Sequence, residues 1–78
     1  MHWNLVKLRM DNGLNFKQMG EIAGISGDSY SRREKGVTDF RPREMYHIAK
    51  HFNLKVSDIF LKQNIRNTDI EVLENEAN

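Results

Sequence analysis

Two adjacent arginines in an otherwise polar helical stretch are the most chemically loaded feature of this 78-residue chain. Arg32 and Arg33 lie within residues 15–36, which read NFKQMGEIAGISGDSYSRREKG. A guanidinium is a planar fork of donors. It can bond guanine O6 and N7 through two parallel hydrogen bonds, worth about 1–3 kcal/mol of discrimination. His47 and His51 stand four apart, about one helical turn, a spacing that can hold a metal ion. No third ligand accompanies them, and cysteine is absent. A solvent-facing histidine pair is therefore expected, with no metal and no cofactor. The sequence offers no Ser-His-Asp or Cys-His grouping, no phosphate-binding glycine loop and no paired carboxylates in a plausible cleft. An enzyme is not expected.

Caps and periodicity divide the chain into helices that would position these groups. A first helix is expected over residues 4–12, with Leu5 and Leu8 inward and Gly13 ending it. Asn15 is a good N-cap for a second helix over residues 16–24, with Met19, Ile22 and Ala23 on one face. Gly24, Ile25 and Ser26 form a tight turn, in which Ser26 can cap the next helix. That third helix, residues 27–35, is polar except for Tyr30, so most of its surface should face solvent or a ligand. Residues 37–41 read as a loop. Pro42 suits the first turn of a fourth helix reaching residue 53, striped by Met45, Ile48, Ala49 and Phe52. A short fifth helix, with Ser57 as its cap, turns Val56, Ile59 and Phe60 inward. Thr68 and Glu71 have capping-box spacing, which allows a weak sixth helix.

Length allows one domain, residues 1–62, with a polar tail over 63–78. No apolar run is long enough to span a membrane, and the N-terminus lacks the features of a signal peptide, so a cytoplasmic protein is expected. Net charge is only +1. Its distribution is more informative: residues 1–60 hold ten Lys/Arg against seven Asp/Glu, and residues 61–78 hold two against four. A mildly basic body with an acidic tail permits nucleic-acid binding without requiring it.

Helix, tight glycine turn, polar helix and glycine stop make a helix-turn-helix pattern, whose second helix can enter a DNA major groove. Over residues 5–60 the chain resembles the Cro/repressor (Xre-like) family of helix-turn-helix regulators. The stretch GLNFKQMGEIAGIS is similar to the family's Gly-Leu-Thr-x-x-x-Leu-Ala-x-x-x-Gly-Val-Ser pattern. SYSRREKG resembles its Thr-Ile-Ser-Arg-x-Glu-x-Gly run, and MYHIAKHFNLKVSDIF its closing helices. The wording is most like phage or prophage regulators. The resemblance implies an all-α, five-helix, lambda-repressor-like domain acting as a sequence-specific transcriptional regulator, in most cases a repressor. Its partner would be double-stranded DNA, bound as a homodimer, with no small-molecule effector.

The family's pattern maps base contacts onto Gly27, Asp28, Ser29 and Arg32. Arg33 could join them or bind phosphate. Equally, it could replace the family's usual apolar residue and cover the core edge with its stem. Phosphate contacts fall on Asn15, the backbone amide of Phe16, Lys17, Ser26, Lys35, Arg41 and Arg43. Arg9 and Glu34 match an internal ion pair between the first and third helices.

Four positions depart from the pattern. Phe16 replaces a polar residue that touches phosphate. Gly27 removes a base-reading side chain. Asp28 puts negative charge near the groove, or simply favours the positive end of its own helix. Gly20 replaces alanine at a cost of up to about 1 kcal/mol in helix propensity. Phe16, Gly27 and Asp28 also leave room for an alternative reading, a protein-binding module of the antitoxin or antirepressor kind, which should expose an apolar patch. Dimer contacts are expected from Phe60, Leu61, Ile65, Ile70 and Leu73.

Overall fold

Five α-helices and no strand make up residues 1–60, the residues described by the computed structural model. They are α1 (Trp3–Asp11), α2 (Phe16–Ala23), α3 (Gly27–Glu34), α4 (Pro42–His51) and α5 (Val56–Ile59). The expected elements are present, with differences at their ends. None of these helices is long and apolar enough to cross a membrane.

Short-range hydrogen bonds fix the boundaries. At the head of α2, Asn15 Oδ1 accepts from the Gln18 amide at 2.8 Å, and Gln18 Oε1 accepts from the Asn15 amide at 2.9 Å. This reciprocal pair satisfies two donors that the helix itself cannot. Gly24 closes α2 in the left-handed region, at φ 82°, and lets the Ile25 amide reach back to the Gly20 carbonyl at 2.9 Å. Ser26 then starts α3, its Oγ accepting from the Ser29 amide at 3.1 Å. The fourth helix ends at His51, not at residue 53. Asn53 takes the left-handed conformation, φ 57°, and the Leu54 amide bonds the Ala49 carbonyl at 2.8 Å. Asparagine tolerates that conformation better than most residues.

Ser57 does not cap the fifth helix. It lies inside it, and Lys55 holds the cap position, its amide donating to Asp58 Oδ2 at 2.9 Å. An acidic residue three places on supplied an acceptor to the cap amide, a signal that competes with a serine cap. The same device starts α4, where the Arg41 amide donates to Glu44 Oε1 at 3.0 Å and Pro42 comes next.

The core gathers Leu5 of α1, Met19 and Ala23 of α2, Tyr30 of α3, Met45, Ile48 and Ala49 of α4, and Val56 and Ile59 of α5. Two residues outside the expected stripes complete it. Phe40, in the loop before α4, is buried, and so is His2. Their rings meet edge-on at 5.1 Å between centroids, Phe40 meets Phe60 likewise at 5.1 Å, and Tyr30 meets Phe40 at 5.9 Å. Edge-to-face contacts at these distances add to the stabilisation that area burial alone provides. The His2 amide also donates to the Glu34 carbonyl at 2.9 Å, tying the start of the chain to the end of α3. Phe60 is 1% exposed. It belongs to this core and offers no surface for a dimer, which corrects its expected role. Leu61, Ile65, Ile70, Leu73 and the sixth helix lie outside the described residues.

Candidate nucleic-acid interface

The inner face of α3 is polar and nevertheless firmly held. Glu34 is 3% exposed. Arg9 on α1 meets it with two donors, Nε to Oε2 at 2.9 Å and Nη2 to Oε1 at 3.1 Å. The Tyr30 hydroxyl donates to the same Oε2 at 2.6 Å. A buried carboxylate needs such compensation, and three charge-assisted bonds supply it. Consequently the Arg9 pKa is held above its ordinary value, chiefly by the bond to Glu34. Burial, then the bond to Glu34, keep Tyr30 protonated far above the ordinary tyrosine range.

Phe16 roofs this network. Its ring centroid lies 4.5 Å from the Arg9 guanidinium carbon and 6.2 Å from the Tyr30 ring. Lys35 approaches the same ring at 5.7 Å. An aromatic residue at the head of α2 thus adds packing and cation–π contact. The backbone amides of Phe16 and Lys17 still head the helix, where no carbonyl of the helix itself can accept from them.

Arg33 resolves toward packing. Its side chain is 15% exposed, and Nε lies 2.8 Å from Glu44 Oε1 on α4. Nη1 donates to the Ser29 carbonyl at 3.3 Å. The Nε–H does not aim at the carboxylate and makes no hydrogen bond, so the contact is ionic but imperfectly aligned. The guanidinium turns to α4. This placement matches the alternative in which its stem covers the core edge.

Gly27 has an architectural reason. A Cβ there would stand 3.0 Å from Lys17 Cα and 3.1 Å from Lys17 N. A side chain there would push the first turns of α2 and α3 slightly apart, so glycine allows their close backbone approach. Gly20 is similar: its Cβ would meet the Ile25 carbonyl oxygen at 2.6 Å. The loss of helix propensity at Gly20 is the cost of a turn folded closely against the helix.

The remaining candidates lie at the surface. Arg32 and Asp28 on α3 are exposed, and Ser29 is half-buried. Asn15, Lys17, Ser26, Lys35, Arg41 and Arg43 are exposed as well. Backbone contact brings Lys17 beside Gly27, the Phe16 ring brings Lys35 to the head of α2, and Glu44 brings Arg41 to α3. Among the described residues, no side-chain hydrogen bond or ion pair links Arg32 or Arg43 to the others. The oxygen acceptors of Asn15 and Ser26 are engaged in capping. His47 is half-buried and His51 exposed, and their rings rest on Tyr46 and Phe52 at 5.9 Å and 4.9 Å.

Sequence reasoning missed His2, Phe40, Glu44 and the Tyr30–Glu34 bond. Glu44 carried a readable signal, three residues beyond the start of a proline-led helix. For Phe40 the signal was a lone aromatic in an otherwise polar loop. Comparison with protein-family models, curated proteins and solved structures finds no match to this chain.

Proposed function

We propose that the chain is a lambda-repressor-like helix-turn-helix regulator that reads double-stranded DNA by laying α3 in the major groove. The observation that carries this reading is the division of α3 into two faces. Tyr30, Arg33 and Glu34 are committed inward, which leaves Arg32 as the exposed arginine of a helix held rigidly by its neighbours. A guanidinium on a rigid support suits bidentate reading of guanine. The head of α2, Lys35, Arg41 and Arg43 supply the phosphate contacts that set its register. The protein acts as a dimer on an inverted repeat with half-sites about one helical turn apart, and represses transcription by occupying the site.

Selection from a random duplex library tests this directly. It should yield a consensus whose affinity falls steeply with salt. Arg32→Ala should flatten the preference at one position of each half-site while keeping salt-dependent binding to all duplexes. Recovery of no duplex at low salt would overturn the reading.

A protein-binding module is favoured by a different observation. Trp3 and Met10, seven apart on α1, are 69% and 65% exposed. Seven residues is about two helical turns, so both lie on one side of the helix. That stripe is on another element from Arg32. It suits a protein contact in place of DNA binding if the selection fails, and beside it if the selection succeeds.

A further inference from the structure

We propose that Glu44 is a positioning residue that locks the phosphate-binding arginines of α4 to the recognition helix, so that both engage one duplex as a single rigid unit. The inference rests on the DNA-binding reading and adds a residue that itself touches no DNA.

The geometry is a three-way junction on one oxygen. Glu44 Oε1 accepts the Arg41 amide at 3.0 Å and lies 2.8 Å from Arg33 Nε. Arg33 immediately follows Arg32 on α3, and Arg41 starts the helix that carries Arg43. Between the two helices the Gly36, Val37 and Thr38 amides bond back to the end of α3, but among the described residues no such backbone bond ties this loop to α4 before the Arg41 cap. Residues 35–39 are all exposed, and of the loop only Phe40 is buried. Phe40 fixes the loop in the core through ring contacts with His2, Tyr30 and Phe60. The Glu44 carboxylate meets the charged groups themselves, and at 8% exposure it is shielded from the salt that weakens surface pairs.

Rigidity here has a measurable consequence. Phosphate contacts made together contribute additively to the salt dependence of binding, at a slope of about 0.9 per phosphate neutralised. If α4 can drift relative to α3, Arg32 can be seated while Arg41 and Arg43 are out of reach. The protein then binds with fewer simultaneous contacts although every arginine is still present.

The double substitution Arg33→Met with Glu44→Met separates this role from simple stability. It leaves net charge unchanged, so any change in salt slope reports geometry. Replacing a buried ion pair by apolar side chains of similar volume is often neutral or stabilising, so the fold should survive. Thermal melting and circular dichroism of the full chain check this, and the equally charge-neutral Arg33→Gln with Glu44→Gln serves as a second variant should the first misfold. Binding of each variant to the selected duplex is measured between about 50 and 200 mM salt.

With an intact fold, the double variant should bind about three- to tenfold more weakly at the lower salt. Its slope should fall by about one to two. Adding Arg41→Ala and Arg43→Ala should then cost much less than in the wild type. An unchanged slope and affinity in a folded variant would overturn the positioning role and leave the DNA-binding reading standing. Wild-type protein that binds no duplex would overturn the DNA-binding reading, and the inference with it.

Discussion

Two arginine–glutamate pairs anchor α3, one to α1 and one to α4, and they are built differently. Arg9 and Glu34 meet as a fork, and Tyr30 supplies a third donor to the carboxylate. Arg33 and Glu44 approach as closely, at 2.8 Å, but the Nε–H finds no acceptor in line. Both arginines are largely covered, with side chains 17% and 15% exposed. Burial therefore does not distinguish them; completeness of hydrogen bonding does. A buried charge with all its partners is retained at little cost, whereas one with partners missing carries a desolvation penalty that the Coulomb term only partly offsets. The α1 side is thus a fixed hinge plate for α3. The α4 side rests on a close ionic contact with fewer donors directed at the carboxylate.

Glu34→Ala should produce the largest effect. It strands the Arg9 guanidinium and the Tyr30 hydroxyl together, and should cost about 3–5 kcal/mol. Glu44→Ala strands a single, poorly aligned guanidinium and a part-buried amide, and should cost about 1–2 kcal/mol. Urea denaturation midpoints at constant slope would measure both. Equal losses would erase the distinction between the two anchors.

Tyr30→Phe comes next. The aromatic packing with Phe16 and Phe40 is kept, and only the hydroxyl that donates to Glu34 is removed. A hydrogen bond to a charged acceptor contributes about 1.5–3 kcal/mol. A double-mutant cycle with Arg9→Met should show strong coupling, because both donors serve one carboxylate. Additive losses would mean that Tyr30 and Arg9 act independently.

How legible these anchors were depended on what kind of signal each left. The helices were readable because Asn15, Gly24, Ser26 and Pro42 act locally, through caps and turn conformations that span four residues. Burial of Met19, Met45 and Ile48 followed from helical periodicity. Glycines 20 and 27 were visible as departures, but their cause is a backbone approach between α2, the turn and α3 that no local pattern encodes. Arg33 was readable only as an alternative between groove and core. What decided it was Glu44, eleven residues away on another helix. His2 left the least trace: it lies in no periodic stripe, and its burial depends on Phe40 and Phe60 closing around it. The exposed candidates, Arg32 above all, were identified by type and position, and it is the packing of their neighbours that gives them a rigid base.

The smallest expected effect concerns that histidine. His2 is buried against Phe40 and Phe60, and its amide bonds the Glu34 carbonyl, so it belongs to the α1 anchor. Burial is the main cause lowering its pKa from the ordinary 6.5; the nearby N-terminal ammonium lowers it further, while Asp39 and Glu34 oppose the shift. The folded ring is therefore neutral where the unfolded one begins to take a proton. Stability from this group is fully present above pH 6.5. It is lost as pH falls below that value, through the lower pKa of the folded state, because the unfolded chain binds the extra proton. A stability profile from pH 7.5 down to about 5 should decline in the wild type and flatten in His2→Phe, above the range where most carboxylates titrate. If the two profiles fall in parallel, the acid sensitivity lies elsewhere in the molecule, and His2 is only a space-filling part of the anchor.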